Sequence, residues 1–495
     1  LLDWKTLKRI VAPEYRNFPD ARMMRTEELT PDGGTMGTLV IGRQGTGKTT
    51  ALARHLVGKF KKYPDRAMFV LDWSGSISDS ILTLVAQDEK RDELLKRIVY
   101  DEMGHPEWCI PLPEFSHLYG STYEEQAQRV ATNLEKLAPS LVTNAPYLGG
   151  LGLKEIAPQA FRVATAIVNE HGETWQITEV KRLLKDLPLL RHALAKHGFM
   201  VPQADWYFKN SYMSTDISAK DRDMRTYSII ALLGAIETPT TKARVGYYRP
   251  AWTPREAIRD GLMVIVNGAR LINQRNTQHY LFTQVYSLIM AEINKRIPAD
   301  PNDKPVSLVM DEVYSLLSIP GMAEEIGMLS PLYRSRKLEP YIVLQALSQL
   351  AETLRQQIWS IGNIVSFAVS NHQEAFELAQ QIFAYNPESV KLDPITSMQQ
   401  PIIEPDRGQY LKIANDIQRM KHRECIIRRY LSEKQLDKYV RWVPETASVR
   451  NDPVNIFEIK EMLLAKRGVR VRDALETINQ RNLKVEVRST PPKIK

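Results

Sequence analysis

Apolar positions along the chain fall into two alternating patterns. Short continuous apolar runs, the mark of strands buried on both faces, occur at 38–41, 67–71, 262–266, 306–310, 341–344 and 364–369, and a further strand is read at 97–101. Around them apolar residues recur at spacings of three and four, as at Ala51, Leu52, Leu56 and Phe60, and again from 277 to 296. Strands alternating with amphipathic helices predict an α/β fold with a mostly parallel sheet. One stretch breaks the alternation. From 123 to 228 the helical period dominates, at 124–137, 153–168, 179–194 and from 222 to 233, and strand-like alternation is nearly absent. It reads as an all-alpha domain inserted between two halves of the sheet domain. Residues 108–113 read as an extended, proline-limited piece, and Pro31-Asp32-Gly33-Gly34 as a loop just before the first core strand.

The predicted organisation is therefore an N-terminal extension at 1–36, a first part of the core at 37–122, the insertion at 123–228, a second part of the core at 229–445, and a basic C-terminal tail at 446–495, read as a helix with a loosely ordered end. The length of 495 residues accommodates two or three domains. No run of about eighteen or more apolar residues occurs, so no transmembrane helix is expected, and the first residues carry no signal-peptide pattern. The two cysteines, Cys109 and Cys425, lie far apart without a Cys or His neighbour, which argues against structural zinc and suits a reducing cytoplasm. The net charge of +8 permits nucleic-acid binding without establishing it.

The chemistry concentrates where strands end. The first run is followed by Gly42-Arg43-Gln44-Gly45-Thr46-Gly47-Lys48-Thr49-Thr50, the G-x-x-x-x-G-K-T pattern of a phosphate-binding loop. Gly42, Gly45 and Gly47 let the backbone curl so that its N–H groups, Thr46 and Thr50 included, face phosphate oxygens, and the following helix adds its positive dipole end. In that pattern Lys48 reaches the β- and γ-phosphates and Thr49 holds Mg²⁺. Asp311-Glu312 closes the 306–310 strand. Asp311 can bind the same Mg²⁺ through its water shell, and Glu312 can polarise the attacking water as general base. Gln345 closes the next strand, where its amide would stand beside the γ-phosphate. Arg334 and Arg336 lie just upstream, and an arginine reaching a neighbouring subunit's nucleotide would stabilise transition-state charge. Asp72, at the end of the 67–71 strand, reads equally as a residue of the functional rim or as a helix cap.

With these residues placed, the chain resembles the HerA–FtsK branch of P-loop motors, and within it the type IV secretion coupling proteins of bacterial conjugation, the TraD/TraG kind. The features run in order: Gly42 to Thr49; Val70-Leu71-Asp72-Trp73-Ser74-Gly75; Tyr100-Asp101 with Ile110-Pro111-Leu112; the helical insertion; Asp311-Glu312; Ser335-Arg336-Lys337; Gln345-Ala346-Leu347-Ser348-Gln349-Leu350, close to a Q-x-x-x-Q-L signature; and 417–419 with 425–428 as a closing strand pair. The resemblance implies a RecA-like P-loop ATPase core using ATP and Mg²⁺. It further implies a ring hexamer that draws DNA through a central pore, with Arg334 or Arg336 acting in trans. Secretion-channel or relaxase-type proteins are the implied partners, in the cytoplasm or at the inner face of the membrane. Strand preference, single or double, stays open. The alternatives are a secretion-system ATPase handling protein cargo, a HerA-like DNA-processing helicase, and a nucleotide-gated scaffold without catalysis.

Overall fold

The structure, a computed structural model, describes residues 22–24, 37–141, 152–168, 173–235, 237–329, 334–383, 390–392, 401–403, 406–428, 440–444 and 455–489. Its strands in chain order are β1 (Arg22–Met24), β2 (Thr38–Ile41), β3 (Met68–Asp72), β4 (Ile98–Glu102), β5 (Trp108–Cys109), β6 (Met263–Asn267), β7 (Val306–Asp311), β8 (Leu338–Leu344), β9 (Asn363–Phe367), β10 (Val390–Leu392), β11 (Pro401–Ile403), β12 (Cys425–Arg428), β13 (Val440–Pro444) and β14 (Val469–Arg470). Ten of them form one sheet in the order β1-β13-β12-β9-β2-β8-β7-β3-β6-β4. From β9 to β4 every neighbour is parallel. β12 joins antiparallel to both β9 and β13. In β2, β3, β6, β7, β8 and β9 every residue is buried, as continuous apolar runs covered by helices on both faces require. The expected α/β core with a mostly parallel sheet is present.

The described part of the insertion is mostly helical, with one isolated antiparallel bridge between Val168 and Thr174. Helix Tyr123–Leu141 lies against the core helix Arg275–Asn294. Polar links reinforce that seam: Arg129 pairs with Glu114 at 3.1 Å, and Asn133 donates to Ser287 Oγ at 2.9 Å. The expected boundary at 228 falls inside helix Ala219–Ala235. Helices Pro239–Gly246 and Pro254–Asp260 follow before β6 resumes the sheet. Apolar spacing runs on through Leu232 and Leu233, both buried, so the helix has no reason to stop at 228.

Two other expectations are corrected. Residues 417–419 end helix Asp406–Arg419 rather than forming a strand, and β12 pairs with β13 instead. The C-terminal segment is not one loose helix. Helix Ile456–Arg467, β14 and helix Val471–Ser489 strap the core to the insertion. β14 pairs with β5, Lys460 bonds Asp79 at 2.6 Å, Trp108 donates to Glu461 at 2.9 Å, and Arg481 bonds the buried Glu179 of helix Ile177–Lys185 at 2.7 Å. Leu463, Leu464, Ala474 and Ile478 on the strap's own helices are buried. The expectations for 1–36 lie, apart from β1, outside the described residues.

Candidate functional site

The central strand β2 delivers the chain to the phosphate loop. Gly42 lies so close to β9 that a Cβ there would stand 2.5 Å from Phe367 Cβ. Its amide donates to Leu344 O at 3.3 Å and that of Arg43 to Ala368 O at 2.8 Å, which ties the loop to the ends of both flanking strands. Gly47, at φ 94°, turns the chain into helix Lys48–Lys62; that left-handed geometry suits glycine. The first amides of this helix have no acceptor within it and form an anion-binding end. Thr46 Oγ1 braces the loop by donating to Arg43 O at 2.8 Å. The Lys48 ammonium folds over the loop onto Gly42 O and, at 2.9 Å, Arg43 O. Burial pushes its pKa down, against the pull of Asp311 and Glu312.

Opposite the loop stand the ends of β3, β7 and β8. Asp72 and Asp311 are register partners on adjacent strands. Asp72 is fully buried and accepts from the amides of Ser74, Gly75 and Ser78 and from Ser78 Oγ, the last at 2.6 Å. Its carboxylate thus satisfies a first-turn amide of helix Ser76–Ala86, whose N-cap residue is Gly75, in line with the capping one of its two expected readings. It also acts at a distance. Burial first, then the neighbouring Asp72 and Glu312, push the Asp311 carboxyl up to about 7. Ser76 Oγ donates to Asp311 Oδ2 at 3.4 Å. Glu312 sits at φ 53°, in the left-handed region, and burial and Asp72 raise its carboxyl too. Its Oε1 accepts from Gln345 Nε2 at 3.3 Å. Gln349 in turn accepts from the Gln345 and Ala346 amides at 3.2 and 3.3 Å, so the second glutamine of Q-x-x-x-Q shapes the turn that presents the first.

These groups line one cleft of about 420 Å³, together with Gln44, Ser74, Ser76 and His422, a size suited to a small-molecule ligand. Gly45, Thr46, Gly47, Lys48, Thr49, Thr50, Asp311, Glu312 and Gln345 all line it; Gly42 supports it from behind. The residues fit Mg²⁺. Thr49 supplies a hydroxyl and Asp311 a carboxylate whose pKa is raised by burial first and then by the neighbouring Asp72 and Glu312, whose charges a cation would offset. Among the described residues no group of three or more His, Cys, Asp or Glu is placed to hold a metal ion.

Arg334 and Arg336 do not join this cleft. They form the short turn that enters β8, whereas Gln345 follows its far end. Seven strand residues intervene, roughly 23 Å at about 3.3 Å per residue. Arg336 donates to Asn294 O at 2.6 Å and to its Oδ1 at 2.9 Å. Sequence reasoning missed Ser76, whose Ser-Gly-Ser surroundings carried a weak hint, and the turn holding His422 and Arg423, more than 370 residues from the loop it touches.

A parallel sheet with a phosphate loop after its central strand and an acidic pair ending the second strand along defines an α/β, RecA-like P-loop ATPase fold. No protein-family model matches the chain, and no curated protein matches its sequence. Solved structures share its fold. An unbound form of the bacterial conjugative coupling protein TrwBdeltaN70 aligns with a TM-score of 0.57 at 12% identity, over 92% of this chain and 94% of that one. The plasmid coupling protein TrwB in complex with a non-hydrolysable ATP analogue gives 0.53 at 12%, over 90% and 92%. TrwB in complex with ADP and Mg²⁺ gives 0.51 at 12%, over 86% and 89%. The fold thus agrees with the resemblance read from motif order. No helix among the described residues is long and apolar enough to cross a membrane.

Proposed function

We propose that this protein is an ATP-driven DNA translocase of the conjugative-coupling kind, working as a ring, most simply a hexamer. The observation that carries the reading is the convergence of Lys48, Thr49, Asp311, Glu312 and Gln345 on one cleft. In this reading Lys48 swings from the loop carbonyls to the phosphates. Thr49 and Asp311 would hold Mg²⁺, which when bound would supply charge neutralisation for phosphoryl transfer. Glu312 takes a proton from the attacking water; its raised pKa brings it closer to a working base. Gln345, bonded to Glu312, orients that carboxylate and senses the γ-phosphate. Arg334 and Arg336 stand away from their own cleft, so any nucleotide they contact would be a neighbouring subunit's.

The DNA part rests on the fold shared with coupling proteins and on the net charge of +8; an open groove of about 830 Å³ beside the insertion carries Lys181, Arg182 and Lys185 alongside Asp186 and Glu237, with Glu237 bonded to Lys181 at 2.7 Å. A translocase moves over any sequence, so phosphate contacts must dominate its binding. The test is DNA-stimulated ATP turnover between roughly 50 and 200 mM salt, with scrambled duplexes and single strands of equal length. Affinity should fall with a log–log slope of about −0.9 per phosphate contacted on duplex or about −0.7 on single strands. Turnover indifferent to both DNA forms would favour a motor that handles protein cargo.

A further inference from the structure

The turn at 421–424, between helix Asp406–Arg419 and β12, touches the phosphate loop at three points. His422 Nδ1–H donates to Gly45 O at 2.7 Å. The Arg423 amide donates to Thr46 O at 2.9 Å. The Arg423 stem lies over Gly47, where a Cβ would stand 3.0 Å from Arg423 Cγ. Glu424 holds the turn in shape: its carboxylate accepts from the Lys421 amide at 2.9 Å, and its own amide donates to Lys421 O at 3.0 Å. Arg423 stands at φ 67°, in the left-handed region. Among the described residues only four that are not glycine have positive φ; one of them, Glu312, lines this cleft, and another, Arg423, directly follows its lining residue His422. Strained backbone of that kind gathers at ligand sites.

Topology says which end of a nucleotide the turn would meet. The acidic pair and Gln345 end β7 and β8, on one side of β2; the turn precedes β12, beyond β9, on the other side. A triphosphate lying along the loop with its γ-phosphate at Glu312 runs its nucleoside toward the turn. Among the described residues that line the cleft there is no Phe, Tyr or Trp, and His422 is the one ring.

We propose that the 421–424 turn is the nucleoside-side wall of the site and that Arg423 binds the ribose and base of the nucleotide. A guanidinium suits both, through its planar face on the base and its N–H groups on ribose hydroxyls. The proposal rests on the reading of the cleft as an ATP site. It makes a residue near the end of the sheet domain part of the same subunit's nucleotide site, distinct from any trans-acting arginine.

The experiment separates nucleoside from phosphate binding. Calorimetric affinities for Mg²⁺-ATP and Mg²⁺-tripolyphosphate are measured on the full chain, on Arg423→Gly and on Arg423→Lys. Glycine accepts φ 67° freely, so Arg423→Gly removes the side chain while favouring the turn. Arg423→Gly should weaken ATP about ten- to a hundredfold, the scale of hydrogen bonds from a charged group, and tripolyphosphate less than about twofold. Arg423→Lys should recover part of the loss. Unchanged ATP affinity in Arg423→Gly would overturn the proposal. So would equal losses for both ligands, which would mean the side chain only shapes the loop. A wild type that binds neither ligand would overturn the ATP-site reading itself, and this wall with it.

Discussion

Replacing Asp311 by asparagine should stabilise the ligand-free protein while destroying its site. Asp311 is buried beside two other carboxylates, and its pKa stands at about 7 against an ordinary 3.8. The folded protein therefore holds this proton more tightly than the unfolded chain does. Stability from that proton is fully present below about pH 4 and is lost as pH rises through about 7. At about 1.36 kcal/mol per pKa unit, the ionised carboxylate costs about 4 kcal/mol at pH 8. Dielectric relaxation and coupling to Glu312 bring this to roughly 2–4 kcal/mol. D311N removes the charge and keeps an acceptor for the Glu312 amide, now at 3.1 Å. Urea midpoints of wild type and D311N at pH 5 and pH 8 test the account. The variant should be the more stable at pH 8, with less than half of its advantage remaining at pH 5, and it should lose Mg²⁺-dependent ATP binding. A variant no more stable than wild type at pH 8, or one whose advantage does not change with pH, would refute the reasoning.

Lys48→Ala should abolish ATP turnover and weaken ATP binding, because the main phosphate cation is lost; normal turnover would sink the site. Glu312→Gln should bind ATP but hydrolyse it slowly, and turnover at the wild-type rate would remove Glu312 as the base. Arg334→Ala or Arg336→Ala should bind ATP normally, hydrolyse it slowly, and regain activity when mixed with Lys48→Ala subunits; absence of rescue in rings shown to be mixed would argue against a trans role. Arg481→Ala should cost about 3–5 kcal/mol in a denaturant titration, because Glu179 is left buried without its cation. A change within about 0.5 kcal/mol would mean that the C-terminal strap does not bind as described.

Strand ends were the legible part of this chain. Buried parallel strands must be continuously apolar, so the first polar residue after each run marks the rim where ligands gather. Asp311 and Gln345 stand out for that reason, and Lys48 by the G-x-x-x-x-G-K-T spacing that follows β2. The start of β8 was less legible, because Pro340 lies within the strand and masks its first three residues. The C-terminal strap was hidden by composition. Its charged residues read as solvated, yet Lys460, Arg467 and Arg481 each meet a specific carboxylate brought close only by the fold. Helix Asp406–Arg419 was misread at its end, where Ile417 packs into the core much as a strand residue would. The 421–424 turn gave no signal, since its partners are loop carbonyls that any residue could meet.

The central claim is that ATP turnover moves this protein along DNA. The most direct measurement is displacement of streptavidin from the biotinylated end of a DNA fragment. It would be followed with wild type, Lys48→Ala and Glu312→Gln, each with and without ATP. The account predicts displacement by wild type only, only with ATP, and at a similar rate on scrambled sequences. ATP hydrolysis by the wild type without displacement, and unaltered by DNA of either form, would contradict it.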